Sequence, residues 1–247
     1  MVKIFISYRR DDSADATGRL KDHLEAHFVA AFLEEPELEP PIVVVLVSGG
    51  HTLLVEVSEI GHYRVLGGTI DDAAGEAFDK VARLLGLGFP GGPALDAAAR
   101  TGDPASVRFP RAMVDSGDLD FSMSGLKTAV LRHVRAEQAT GRPIDVPDLA
   151  ASFQEAIVDV QVSKTLEAAR RTDVRRVLLG GGVVANSRLR ERLLSDGAAA
   201  GLEVLVPPLA LCTDNAAMVA CLGAARLERG ERTGLDIAAD PNLPLAS

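Results

Sequence analysis

Residues 174–186 read VRRVLLGGGVVAN. The segment Val174–Leu179 predicts a short buried strand. It runs into Gly180, Gly181 and Gly182, and a helix is expected from Asn186 to Ala199. A strand, a glycine turn and a helix in that order mark the place where open α/β sheets hold anions and nucleotides. Asn is also a favoured helix cap, and on this stretch alone capping explains Asn186 equally well.

Working outward, the same alternation recurs. Pro147–Arg171 and Gly125–Gln138 have helical character upstream, and Glu203–Val206 (strand) and Asp214–Arg229 (helix) follow downstream. Ile42–Val47 is a continuous apolar strand that ends in Ser48-Gly49-Gly50. Thr52–Ser58 and Tyr63–Gly67 complete an antiparallel meander. A helix is expected over Asp71–Leu85, stopped by Gly86. The stretch to Asp120 is rich in Gly and Pro, with one short helix near Ala94–Arg100. Strands alternating with helices predict an α/β fold. At the front, Val2–Tyr8 reads as a strand, Gly18–Leu33 as a helix, and Glu34–Pro41 as an acidic, proline-bearing connector.

The bulk numbers bound the function. With 247 residues, 47% hydrophobic and 25% charged, the chain can bury a substantial core. Aromatics are 4% and Trp is absent, so that core must be built from Val, Leu, Ile and Ala. The formal net charge of −9 leaves no overall basic footprint, so any nucleic-acid contact must use a local patch or a partner's surface. The candidate patch is Arg108, Arg111, Lys127, Arg132 and Arg135, on a loop and the helix that follows it. The two cysteines, Cys212 and Cys221, form no Cys-x-x-Cys pair and point to a reducing compartment. No apolar stretch is long enough to span a bilayer and no signal segment opens the chain, so a cytoplasmic protein with no membrane partner is expected.

Five short patterns bear on chemistry. Val47-Ser48-Gly49-Gly50-His51-Thr52 lets backbone N–H groups approach a phosphate, although a Gly-Gly hairpin turn reads the same way. Gly180–Asn186 is the second such turn. His23-Leu24-Glu25-Ala26-His27 sets two histidines four apart on one helix face, a spacing that can share a metal. A zinc-protease motif needs Glu directly after the first His; here that slot holds Leu24. Asp214, in Cys212-Thr213-Asp214-Asn215, is either a helix cap or the carboxylate of a two-His, one-carboxylate site. In the helix expected from Asp71, the acids Asp71, Asp72 and Glu76 suit the N-terminal dipole. Asp79 lies too far along for that and suits a contact with substrate hydroxyls.

Taken together, HLEAHFVAAFLEEPELEPP, LVSGGHTLL, IDDAAGEAFDKVARLLGL, FPGGP, LDFSMSGLKTAV, LGGGVVANSRLR and CTDNAAM resemble the tRNA threonylcarbamoyladenosine synthase family (TsaD in bacteria) in order and spacing. The resemblance runs from His23 to the end. It implies an actin/hexokinase/Hsp70-like ATPase (ribonuclease H-like) fold, with the second lobe present and much of the first missing. The implied activity is transfer of a threonylcarbamoyl group from threonylcarbamoyl-adenylate to N6 of adenosine 37, in tRNAs that read codons beginning with A. The resemblance assigns Leu46, Val47, Ser48, Gly49, Gly50, Asp79, Gly92, Asp96 and Asn186 to the adenylate. It assigns His23, His27 and Asp214 to one divalent metal ion, Fe(2+) or Zn, that acts as a Lewis acid. No catalytic nucleophile is implied. Accessory proteins TsaB and TsaE are the implied partners.

Two departures stand out. Ala26 occupies a position where the family usually has Gly. Residues 1–22, with FISYRRDD, resemble the opening strand and turn of a bacterial TIR domain and not the family's first lobe, so residues 1–22 and 23–247 are expected to be distinct units. A chain without that lobe is expected to have little transferase activity alone. The alternative reading is a catalytically impaired binding or partner module.

Overall fold

The computed structural model describes residues 26, 38–59, 62–212 and 215–232. Its centre is strand β1 (Ile42–Val47), in which all six residues are buried. A strand buried on both faces must be apolar throughout, and this one is. Strand β2 (Thr52–Glu59) runs antiparallel to β1, and β3 (His62–Gly68) antiparallel to β2. On its other side β1 pairs in parallel with β4 (Arg176–Gly180), which pairs in parallel with β5 (Glu203–Leu205). The sheet order is therefore β3-β2-β1-β4-β5. An antiparallel meander joined to two parallel strands is the ribonuclease H-like sheet of the actin/hexokinase class.

The two-residue period of β1 sorts its side chains. Val43, Val45 and Val47 enter the main core with the helices. Ile42, Val44 and Leu46 enter a smaller cluster on the opposite face with Val55, Val57, Tyr63 and Leu178. The main core is covered by α1 (Ala74–Leu84), α2 (Gly91–Ala99), α3 (Ser124–Ala139), α4 (Val146–Thr172) and α5 (Ser187–Ala199). The longest of these, α4, has 27 residues and touches β1, β2 and β4. The Asp145 side chain caps its start by accepting from Asp148 N, and a left-handed Asp173 (φ 55°) ends it. The rings of Phe78 on α1 and Phe153 on α4 meet edge to face at 5.5 Å. A last helix, α6 (Ala216–Glu228), is capped by Asn215.

Within the described residues the meander, the central strand and the helices stand where the sequence places them, within a few residues; the expected strand Val2–Tyr8 and helix Gly18–Leu33 lie outside the described residues, Ala26 excepted. One boundary matters. Helix α1 begins at Ala74, so Asp71 and Asp72 precede it and do not sit in its first turn. Among the described residues no helix is long and apolar enough to cross a membrane. The TIR-like reading of residues 1–22 lies outside the described residues.

Candidate active site

The parallel strands β1 and β4 end side by side, at Val47 and Gly180. Each runs into a glycine turn, and a cleft of about 360 Å³ opens over them. That volume lies in the range of small-ligand sites. The floor comes from Gly49 of the first turn and from Gly182, Val183, Ala185 and Asn186 of the second. Gly75, Phe78 and Asp79 of α1 form one wall; Pro90, Gly92, Pro93, Asp96 and Arg100, on and beside α2, form the other.

The turns are built by close backbone approach. Ser48 N donates to His51 O (2.8 Å), and His51 N donates to Ser48 Oγ (3.0 Å). A Cβ on Gly75 would stand 2.5 Å from Ser48 O, so α1 starts hard against the first turn. The buried Thr52 hydroxyl accepts from Ala74 N (2.9 Å) and thereby satisfies the start of α1. In the second turn Gly181 has φ +88°, and a Cβ there would lie 2.4 Å from Val47 O. Only glycine lets these strand ends come together.

Three aspartates each satisfy the start of a helix to which they do not belong. Asp71 accepts from Ser122 Oγ (2.6 Å) and from Met123 N (2.7 Å) at the start of α3. Asp79 Oδ1, on α1, accepts from Gly91 N (2.8 Å) at the start of α2. Asp96 Oδ1, on α2, accepts from Ser187 N (3.1 Å) and Ser187 Oγ (2.8 Å) at the start of α5. Asp79 and Asp96 meet the helix start through one oxygen and Asp71 through both, next to a helix N-terminus where negative charge is favoured. Asn186 is anchored likewise. Its Oδ1 accepts from Leu189 N (2.9 Å), and its Nδ2 donates to Gln154 Oε1 on α4 (2.8 Å).

These facts settle where the expected residues stand. Gly49, Asp79, Gly92, Asp96 and Asn186 converge on the cleft. Ser48 and Gly50 belong to the first turn beside it. Leu46 and Val47 are buried within β1, and Leu46 packs on the sheet face away from the helices. The dipole reading of Asp71 and Asp72 is corrected: Asp71 serves α3, and Asp72 pairs with Lys80 (2.8 Å) and Lys127 (3.3 Å). For Asp71, burial raises the pKa, but the bonds from Ser122, Met123 and Ser124 outweigh it and hold the carboxyl below the usual aspartate range. The Lys80 hydrogen bond does the same for Asp72. Burial pushes the Cys212 thiol up, which suits a packed side chain better than a nucleophile.

The sequence reading missed Thr52, Gly75, Phe78, Gln154 and Arg100. Only Arg100 carried a signal: it follows Asp96 by one helical turn, and its Nη2 lies 3.4 Å from Asp96 Oδ2. The expected basic patch is also smaller than the sequence suggests. Arg111 is held by Asp159 (2.8 Å) and Lys127 by Asp72, which leaves Arg108, Arg132 and Arg135.

His23, His27 and Asp214 lie outside the described residues. Among the described residues no group of three His, Cys, Asp or Glu side chains could hold a metal ion. Ala26, which directly precedes His27, is fully buried and clusters with Met218 and Leu222 of α6.

A backbone-lined anion floor between two acid-bearing walls is the arrangement expected for a nucleotide: phosphate over the glycine turns, hydroxyls against the carboxylates. Residues 22–221 match the family model of TsaD, tRNA N6-adenosine threonylcarbamoyltransferase. The chain belongs to this family. It is 53% identical over 222 residues to the tRNA N6-adenosine threonylcarbamoyltransferase of Thermotoga neapolitana, a match that covers 90% of this chain and 67% of that one. It is 54% identical over 221 residues to the enzyme of the same name from Anaeromyxobacter dehalogenans, covering 89% and 66%. The chain thus spans about two thirds of the length of these relatives. Full-length HypF in a phosphate- and nucleotide-bound form has the same fold at 14% identity, with a TM-score of 0.64 over 83% of this chain and 42% of that one. Gly49, Asp79, Gly92, Asp96 and Asn186 are scattered along the sequence, and the fold brings them to one cleft.

Proposed function

We propose that this chain carries out the tRNA modification for which its family is named: transfer of the threonylcarbamoyl group from threonylcarbamoyl-adenylate to N6 of adenosine 37, in tRNAs reading codons that begin with A. The observation that carries the reading is the convergence of Gly49, Asp79, Gly92, Asp96 and Asn186 on one cleft. In it the adenylate phosphate lies over the glycine turns at Gly49 and Gly182, away from the two aspartates that would repel it. Asp79 and Asp96 accept from ribose hydroxyls through the carboxylate oxygens not bound to a helix start. Among the described residues the cleft lining holds no activated nucleophile, so the rate comes from holding the acyl carbon near the acceptor amine and from charge stabilisation.

His23, His27 and Asp214 are proposed to hold one divalent cation, iron or zinc, which when bound supplies Lewis-acid polarisation. The packing of Ala26 against α6, the helix that follows Asp214 in sequence, supports their convergence. TsaB and TsaE are the proposed accessory partners. The test is a threonylcarbamoylation assay with the purified chain, threonylcarbamoyl-adenylate and unmodified tRNA, with and without those two proteins. Labelled threonine in tRNA supports the reading. A chain that binds the adenylate but modifies no tRNA in either condition favours the binding-module alternative.

A further inference from the structure

On a chain with a net charge of −9, arginines that have no acidic neighbour are informative. Most described basic side chains are neutralised within the fold: Arg111 and Arg192 by Asp159, Arg188 by Glu155, Lys164 by Asp118, Arg171 by Glu167. Arg108, Arg132 and Arg135 are among the exceptions. All three are exposed, and none makes an ion pair or side-chain hydrogen bond among the described residues.

Two of them stand together on one helix, and the third is carried by a loop packed against that helix. Arg132 and Arg135 are three apart on α3 and share one face, with Thr128 and Ala139 completing it and no carboxylate upon it. The ring of Phe109 meets that of His133 edge to face at 6.1 Å, which seats the neighbouring Arg108 beside the same stretch of α3. The loop that carries Arg108 is fixed from below. Val107 N donates to Ser152 Oγ (3.0 Å), and Arg111 bridges Phe109 O and Asp159. The acid on α3, Glu137, lies off this face and pairs with Arg142.

Two free guanidinium groups on one helix face that carries no carboxylate, with a third on the loop packed against that helix, suit the phosphates of an RNA backbone. We infer that Arg108, Arg132 and Arg135 form the phosphate-binding surface through which this chain grips RNA. The inference rests on the tRNA reading above and adds the surface that makes the contact. Guanidinium contacts to phosphate release counterions, so binding through them must weaken steeply with salt. The net negative charge of the chain favours an approach of RNA to such a local patch.

The test is binding of an unmodified tRNA transcript to the full chain at several salt concentrations. Three proteins are compared: the wild type, Arg132→Glu/Arg135→Glu, and Arg175→Glu/Arg232→Glu, which has the same net charge but reverses two exposed arginines outside the patch. The patch variant is expected to lose roughly tenfold or more in affinity. Its plot of log affinity against log salt should flatten by about 1.5, at roughly 0.7–0.9 per lost phosphate contact. The neutral pair Arg132→Gln/Arg135→Gln should give a smaller shift in the same direction. Equal losses in patch and control variants, or a wild type that does not bind the transcript, would overturn the inference. AMP binding at the cleft is measured in parallel: AMP bound without tRNA sinks the patch alone, whereas no AMP bound sinks the proposed function.

Discussion

Asn186 Nδ2 donates to Gln154 Oε1 across 2.8 Å, and this bond decides which way the Asn186 amide faces. Because Oδ1 is already committed to Leu189 N, the amide cannot flip without losing both partners. Gln154→Leu leaves a buried N–H unpaired, at about 1–3 kcal/mol. A lower melting temperature and weaker AMP binding are expected, with Gln154→Glu largely restoring both because it still accepts. In an Asn186→Ala background, Gln154→Leu should add little further loss of affinity. An equal loss in both backgrounds would mean that Gln154 acts through general packing.

The two glycine-bearing sides of the cleft should respond oppositely to a methyl group. Gly181→Ala forces a side chain into φ +88° and to 2.4 Å from Val47 O, so destabilisation of several kcal/mol is expected, on the order of the larger single-site effects. Gly92→Ala meets no atom within 4 Å, because the methyl projects into the open cleft. Alanine is the better helix former by up to about 1 kcal/mol. Denaturant unfolding should therefore show Gly92→Ala as stable as wild type or more so, while calorimetry shows weaker AMP binding.

Acid should loosen the start of α3. Asp71 has its folded pKa below the ordinary aspartate value of 3.8. Its stabilising effect is complete above that value and is lost as pH falls through the depressed folded value. Asp71→Asn should be less stable than wild type at neutral pH, and the gap should close in this acid window. A gap that stays constant across the titration would show that the carboxylate charge is not what holds Ser122, Met123 and Ser124.

Metal content tests the proposed ligand set. Asp214→Ala should lower bound iron or zinc by elemental analysis, whereas Asp72→Ala should leave it unchanged, since Asp72 is taken up by Lys80 and Lys127. Equal metal in both variants would remove Asp214 from the ligand set.

The legible parts of the molecule were those in which one local signal and one tertiary role coincide. The apolar run Ile42–Val47 can only be a strand buried on both faces, and it is the central one. The turns at Ser48 and Gly180 were visible because glycine there answers a backbone need. The acids at Asp71 and Asp72 misled because a carboxylate near a helix start looks the same whichever helix it serves. Asp71 reaches a helix more than fifty residues away, a distance along the chain that no periodicity reports. Thr52 and Gln154 were invisible for the same reason: each is an ordinary residue until its partner arrives. In the basic patch the charges are legible in the sequence, but only the fold shows that Asp159 and Asp72 remove two of them.

The exchange of caps between helices has a consequence for how the chain folds. Asp79 satisfies a helix start 12 residues on, Asp71 one 52 residues on, and Asp96 one 91 residues on. None of α2, α3 and α5 therefore has its first turn completed by its own sequence neighbours alone. Each gains that turn only when another part of the lobe is already docked. The lobe should thus gain its helices in a single cooperative step, and the amide protons of Gly91, Met123 and Ser187 should exchange with solvent together, at the rate of global opening.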